Sequence, residues 1–279
     1  MFTSFRHLSL DVALGASAMM GLVAAFLNVE VEGIFYFLLF LMTWLIYTAD
    51  HLMDARNIPH QAHTPRHRFH QKYFRPILLA AILGFIAFVI LIPKEVDLDL
   101  FRHAVLLSGF ILLYFLSLIL ARKTKFRYVL KELFIALGYT VGVSLVPVSM
   151  AWPVDFFSWL LLFRIFGLAL SNLFLFSLYE IQPDVKDNHP SAIKFLGINV
   201  LKGILHVVLP VQALGSFFLM YIMDKWQYPF LLLLMNSILM VLFYFPKPFI
   251  KNEWYRIMGD GVFLVPGIYF FTKYLLSVL

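Results

Sequence analysis

The sequence predicts an all-α polytopic membrane protein with nine transmembrane helices in a single domain over residues 1–279. Of its residues, 62% are hydrophobic and only 14% are charged. Soluble domains average about 45–50% apolar residues and about 25% charged residues. The apolar residues fall into runs that approach the ~20 residues a helix needs to cross a bilayer. Since no alternating strand pattern appears, helices and not a β-barrel are expected to span the membrane.

The first predicted span is a retained helix and not a signal peptide, because the apolar run after Asp11 is long enough to cross the membrane. Long polar connections follow the second and sixth spans, and both of those spans end in acidic residues. This recurrence suggests two halves of similar build. The nine spans cover residues 12–29, 33–49, 74–92, 103–121, 129–151, 156–179, 199–223, 228–245 and 257–278.

The distribution of positive charge predicts the orientation. The chain carries 22 Lys and Arg and a formal net charge of +6. Most of these residues precede the first span or follow the even-numbered spans. By the positive-inside rule, the N-terminus is therefore cytoplasmic and the C-terminus lies on the opposite side. The basic balance is a topology signal, so the lipid bilayer and not nucleic acid is the expected partner. The chain has no cysteine, which excludes disulfides and thiolate metal sites.

Two groups of acids follow corresponding spans on the predicted cytoplasmic side. Asp50 and Asp54 form one pair, and Glu180, Asp184 and Asp187 form the other group. Residues four apart share a helix face, about 5–6 Å apart at Cβ, and like charges at that spacing repel unless a cation joins them. An isolated pair could merely solvate a helix end. Two pairs in matching positions favour a site for a hard divalent cation such as Mg²⁺.

The loop after the second span also contains histidines. His63 and His67 have the HxxxH spacing of some metal sites, but Pro65 interrupts them and no HxxHH segment follows. We therefore interpret this loop as solvated or facing lipid headgroups. Within the sixth span, Arg164 is expected to reach outwards towards the interface.

The first acidic segment resembles a motif of the UbiA-type intramembrane prenyltransferases, which have nine helices and acidic motifs after helices 2 and 6. The family's first motif reads NDxxDxxxD. It aligns with "IYTADHLMD", residues 46–54, so that Asp50 and Asp54 match its last two aspartates. Ile46 and Tyr47 stand where the family has Asn and Asp.

The second acidic segment resembles the family's other motif, DxxxD followed by Gly, Ser or Thr, and Gly. The segment "EIQPDVKDNHPSAIKFLG" matches it at Glu180, Asp184, Ser191 and Gly197, with Asn188 in place of the first Gly. The first acid is Glu instead of Asp. The resemblance extends to the whole chain, because the nine predicted helices match the number in the family.

This resemblance implies Mg²⁺-dependent transfer of an isoprenyl group from an isoprenyl diphosphate donor to a hydrophobic or aromatic acceptor. Its catalytic and metal-binding residues would be Asp50, Asp54, Glu180 and Asp184, with Asp187 as a fifth metal ligand. Lys131, Arg66 and Arg68 would contact the donor's diphosphate, and an apolar groove between helices would hold its tail. The helices and basic loops alone would also suit a non-catalytic lipid-binding or transporter-like protein. The two acid groups favour the enzyme.

Overall fold

The structure, a computed structural model, describes residues 2–95, 127–182 and 192–278 together with Val105 and Gly109. These residues are 88% helical and contain no strand. The helices are, in chain order, α1 (Phe2–His7), α2 (Leu10–Leu27), α3 (Gly33–Asn57), α4 (Pro65–Lys72), α5 (Phe74–Glu95), α6 (Arg127–Ala151), α7 (Phe156–Tyr179), α8 (Ile193–Leu196), α9 (Ile198–Ile222), α10 (Gln227–Tyr244), α11 (Lys247–Ile250), α12 (Trp254–Gly261) and α13 (Val265–Val278), with 3-10 turns at Lys251–Glu253 and Val262–Leu264.

Seven of these helices are long and apolar enough to cross a membrane, namely α2, α3, α5, α6, α7, α9 and α10. They fit a multi-pass membrane protein and agree in position with seven of the nine predicted spans. The predicted span 103–121 lies outside the described residues except for Val105 and Gly109. The predicted span 257–278 is helical but divided, because the turn at Val262–Leu264 separates α12 from α13.

The helix α3 continues beyond its predicted end at residue 49 and finishes at Asn57. Both Asp50 and Asp54 therefore lie on the helix itself, close to its C-terminal end. The next helix, α4, begins with a favourable cap: the Thr64 side chain accepts a hydrogen bond from the backbone of His67, and Pro65 occupies the first turn. Proline suits that position because its missing N–H would have no partner there.

Two helices form the interior of the bundle. About 61% of the apolar stretch of both α2 and α7 is buried, against 6% for α5. The helix α2 packs on α3, α6, α13 and the 3-10 turn after α12, while α7 packs on α6, α9 and α10. Two short helices lie over the ends of these longer ones: α4 packs on α3, and α12 packs on both α2 and α7. They bring charged residues to the bundle.

Arg164 does not reach the interface, contrary to the sequence-based expectation. Its side chain is buried between α7 and α9, where Nη2 donates to the Gln212 carbonyl oxygen at 2.6 Å and also contacts the Ser216 hydroxyl. The glycine at 215 leaves room for it, since a Cβ there would lie 2.9 Å from Nη1. Polar partners on a neighbouring helix hold this cation inside the bundle.

The contact between α2 and the turn at Val262–Leu264 depends on Gly15. A Cβ at Gly15 would lie 2.9 Å from the Cβ of Phe263. We expect Gly15→Ala to lower the free energy of unfolding by about 1–3 kcal/mol, because an overpacked core must shift. Thermal or denaturant unfolding of the purified protein in detergent measures the change.

The matched control for this prediction is Gly203→Ala in α9, where a Cβ would have open space. Alanine there should stabilise the helix by about 0.5–1 kcal/mol through its better helix propensity. Equal effects of the two substitutions would show that the Gly15 contact does not limit packing.

Candidate functional site

The first acid pair meets a lysine from a different helix. The Nζ of Lys131, near the start of α6, lies 3.5 Å from Asp50 Oδ2 and 3.7 Å from Asp54 Oδ2. All three side chains are largely buried. Two carboxylates near the C-terminus of α3 face the negative end of the helix dipole as well as each other. A cation at this point offsets both repulsions. The structure thus brings together Lys131, Asp50 and Asp54, which sequence analysis placed in one site.

The second acid is also paired with a cation from elsewhere in the chain. Glu180 caps the C-terminus of α7, and its Oε1 forms an ion pair with Arg256 of α12. The Tyr255 hydroxyl donates to the same oxygen at 2.9 Å. The ring of Tyr255 stacks on Tyr179 with centroids 4.4 Å apart. Glu180 therefore fastens α12 to the end of α7.

A further buried cluster was not found by sequence analysis. Arg66 of α4 lies 3.4 Å from Asp260 of α12 and donates from Nη1 to His51 of α3 at 3.3 Å. Ser9, which precedes α2, lies 3.2 Å from the same His51 nitrogen. Asp11, in the first turn of α2, is also buried. Arg66 therefore lies among the charges at this end of the bundle, and its partner there is the carboxylate of Asp260.

The electrostatic surroundings of His67 connect the two acid groups. The pKa of His67 is lowered to about 4, chiefly by burial and then by the charges of Arg256, Arg66 and Lys131, while Glu180 acts in the opposite direction. The ends of α3 and α7 are therefore within electrostatic reach of one another through α4. Glu180, Lys131, Arg66 and Arg256 therefore form one cluster of charges around His67.

Tyr47 lies in the same cluster. It occupies the position where the resembled motif has an aspartate, and the charges of Asp260, Arg66 and Asp50 all act on it. Tyr47 is thus acted on both by the acid pair and by the cluster around Arg66. It adds a polar group there without adding a negative charge.

Of the remaining predicted site residues, Arg68 is the one that the structure describes. Arg68 is exposed on α4, and in the part of the chain that the structure describes it has no ion pair. Asp184 and Asp187 fall outside the described residues. Within the described ranges no group of three or more His, Asp or Glu side chains is arranged to hold a metal ion. His63 is exposed whereas His67 is buried, so the HxxxH pair does not converge on one point.

An apolar groove of about 830 Å³ lies between α6 and α7. It begins at Leu133 and Phe134, within one turn of Lys131, and extends to Trp152 and Trp159. Along α6 its centre lies about 90° around the helix from Lys131, given 3.6 residues per turn. The groove therefore starts near the acid pair but opens on an adjacent face.

The sequence carries a weak signal for the residues that were missed. Asp260 interrupts an apolar run, "IMGDGVFLV", and Glu132 directly follows Lys131. Glu132 is buried and accepts from the Ala192 backbone N–H at 2.9 Å and from Ser177 at 3.3 Å. An acid inside an apolar segment is a candidate for a specific partner. The partner of such an acid is distant in sequence, so the pairing itself could not be predicted from the sequence.

The ion pair between Glu180 and Arg256 should contribute strongly to stability through the cost of breaking it. We expect Arg256→Gln to lower the free energy of unfolding by about 3–5 kcal/mol, because it leaves a buried carboxylate without its cation. The double variant Glu180→Gln with Arg256→Gln should recover much of that loss. Unfolding in detergent measures both, with Lys251→Gln on the surface as control. A double variant no more stable than Arg256→Gln would contradict this assignment.

Stability should also depend on pH through the buried histidines. The pKa values of His7 and His67 are lowered to about 4, chiefly by burial, so the folded state binds these protons less readily than the unfolded chain. The contribution of these histidines to stability is fully present above the pKa of the unfolded chain, near 6.5. It is lost as the pH drops towards 4, by up to about 3 kcal/mol for His67.

Unfolding midpoints measured between pH 7.5 and 5 test this dependence. His67→Gln should make the profile less steep, with the contribution of His7 remaining, whereas His60→Gln at an exposed position should not change it. A profile that stays flat in the wild-type protein would show that neither histidine is held neutral by the fold.

Comparison of the chain with protein-family models, with curated proteins and with solved structures found no match in any of the three.

Proposed function

We propose that this protein is an intramembrane prenyltransferase that moves an isoprenyl group from its diphosphate to a hydrophobic or aromatic acceptor with the help of Mg²⁺. The observation that carries the proposal is the meeting of Asp50, Asp54 and Lys131 at the buried end of α3. Carboxylates for a divalent cation and a lysine for a phosphate group are the two halves of a metal–diphosphate site.

The donor set around Asp50 and Asp54 fits Mg²⁺. Both Oδ2 atoms already face one positive charge, and a hard cation prefers such oxygens. Glu180 fits less well. Its Oε1 is bound by Tyr255 and Arg256, and among the described residues no contact to Oε2 is found, so only Oε2 could reach a metal. Asp50 and Asp54 are therefore the residues we assign to the metal.

In this proposal the residues of the chain bind the donor, neutralise its diphosphate and exclude water from the site. When bound, Mg²⁺ supplies Lewis-acid neutralisation of the departing diphosphate. Lys131 adds a positive charge to the same leaving group as the carbon–oxygen bond breaks. The apolar groove that begins at Leu133 and Phe134 holds the donor's tail. Burial of the site keeps water from the allylic carbon, which gains positive charge before the acceptor attacks.

The competing proposal is a non-catalytic lipid-binding or transporter-like protein. It is favoured by the finding that Asp50, Asp54 and Glu180 each already have a protein cation beside them, as a purely structural charge pair would. The two proposals differ in whether diphosphate is released from a bound isoprenyl diphosphate.

The test is diphosphate release by purified protein from isoprenyl diphosphates of several chain lengths, with aromatic acceptors, in Mg²⁺ or in EDTA. We expect release only with Mg²⁺. Asp50→Asn and Asp54→Asn should each reduce it by about 100-fold or more, the scale of losing one electrostatic stabiliser of a transition state. Asp224→Asn, at an exposed loop on a different part of the chain, is the matched control.

Release that persists in EDTA, or that is unaffected by both aspartate substitutions, would refute the assignment of the site. Binding of every donor without any release would favour the lipid-binding alternative.

A further inference from the structure

Lys131 is held between two carboxylates without a short hydrogen bond to either. Its Nζ lies 3.5 Å from Asp50 Oδ2 and 3.7 Å from Asp54 Oδ2. Charge-assisted hydrogen bonds between nitrogen and a carboxylate are typically about 2.7–2.9 Å long. The two contacts are nearly equal and both longer than this range. The ammonium group therefore acts on the pair as a shared charge.

The acid pair needs such a charge whether or not a ligand is bound. Asp50 and Asp54 have side chains only 21% and 17% exposed, so water screens their repulsion poorly. They also lie near the C-terminal end of α3, where the helix dipole disfavours negative charge. An ammonium at the end of a flexible four-carbon stem can supply the charge and then withdraw, because it is a compact point charge without fixed geometry.

We infer that Lys131 is an exchangeable counter-ion that occupies the cation position between Asp50 and Asp54 and moves to the donor's diphosphate when a metal takes its place. This inference rests on the proposed function and extends it to the regulation of the site. The two carboxylates are never left without a cation, and the lysine never faces the metal without an anion. No bond is made or broken in the exchange.

The exchange couples the binding of metal and diphosphate. Without diphosphate, Lys131 competes with a metal for the two carboxylates and weakens its binding. Diphosphate draws the ammonium group away and so opens the carboxylates. Coupling between two ligands is reciprocal, so the metal must strengthen diphosphate binding by the same factor. The site thereby holds Mg²⁺ firmly only when a donor is present.

Lys131→Gln separates this exchange from a simple phosphate contact. The variant should bind Mg²⁺ alone about tenfold more tightly than the wild-type protein, a factor within the usual range of coupling between sites. It should bind inorganic diphosphate more weakly, and diphosphate should strengthen its binding of Mg²⁺ by a smaller factor than in the wild-type protein. Calorimetric titration of the purified protein measures these affinities, first with Mg²⁺ alone and then with diphosphate.

Two further variants control for charge and folding. Lys202→Gln removes one positive charge at an exposed position on α9 and should leave both affinities unchanged. Lys131→Arg keeps the charge and should not tighten the binding of Mg²⁺ alone. In unfolding measurements, Lys131→Gln should melt at a lower temperature than wild type without Mg²⁺ and regain the difference when Mg²⁺ is added.

A Lys131→Gln variant that is folded but binds Mg²⁺ no more tightly than wild type would overturn the inference. The same holds if diphosphate fails to strengthen the binding of Mg²⁺ to the wild-type protein. Neither result depends on turnover, so the inference can fail while diphosphate release is intact. Failure of the proposed function appears separately, as a wild-type protein that releases no diphosphate from any donor.

Discussion

The organisation of this protein depends on one electrostatic constraint: two apolar helices end in buried acids. Asp50 and Asp54 lie at the C-terminal end of α3, and Glu180 caps the C-terminus of α7. Unpaired carboxylates there would oppose the helix dipole in surroundings that screen charge poorly. Each helix end therefore takes a cation from a distant segment. Lys131 serves the first, and Arg256 serves the second.

The ion pairs that satisfy this constraint also hold the short helices α4 and α12 in place. Arg256 belongs to α12, and Arg66 of α4 binds Asp260 of the same α12. Ion pairs thus join the covering helices to the long ones and to each other. A buried pair is weak evidence of added stability by itself, but losing one partner leaves an uncompensated charge. The positions of α4 and α12 are consequently tied to the charges on α3 and α7.

The same charges serve both stability and the proposed chemistry, and the two roles make different demands. A structural ion pair is best when it is short, as the contact of Arg256 with Glu180 is. A site that must accept a metal and a diphosphate needs carboxylates that can exchange their partner, and the longer contacts of Lys131 suit that. The two acid groups resemble each other in sequence, yet their described partners suggest an anchor at α7 and an exchangeable site at α3.

Tyr47 shows how a departure from the resembled motif fits this arrangement. A third carboxylate at this position would add negative charge beside Asp50 and Asp260, where the charges already interact. A hydroxyl keeps a polar group there at no cost in charge. The binding set on α3 is thereby limited to Asp50 and Asp54, and Lys131 offsets part of their charge.

Local pattern was enough to predict much of the fold. Apolar runs gave seven of the spanning helices, since the length that crosses a bilayer is a property of a single segment. The four-residue spacing predicted Asp50 and Asp54 on one face of a helix. Since α3 extends to Asn57, both residues do lie on that helix. The position of Lys131 beside them was expected from the resemblance. It could not have been derived from spacing, because Lys131 is on another helix.

The sequence by itself determined seven of the long apolar helices and the placement of Asp50 and Asp54 on one helix. Only the tertiary structure decided the partners: Arg256 for Glu180, the interior contacts of Arg164, and the pair of Arg66 with Asp260, which are 194 residues apart. The physical reason is that periodicity specifies the face on which a side chain lies. Which charge meets it across the bundle depends on how all the helices pack together.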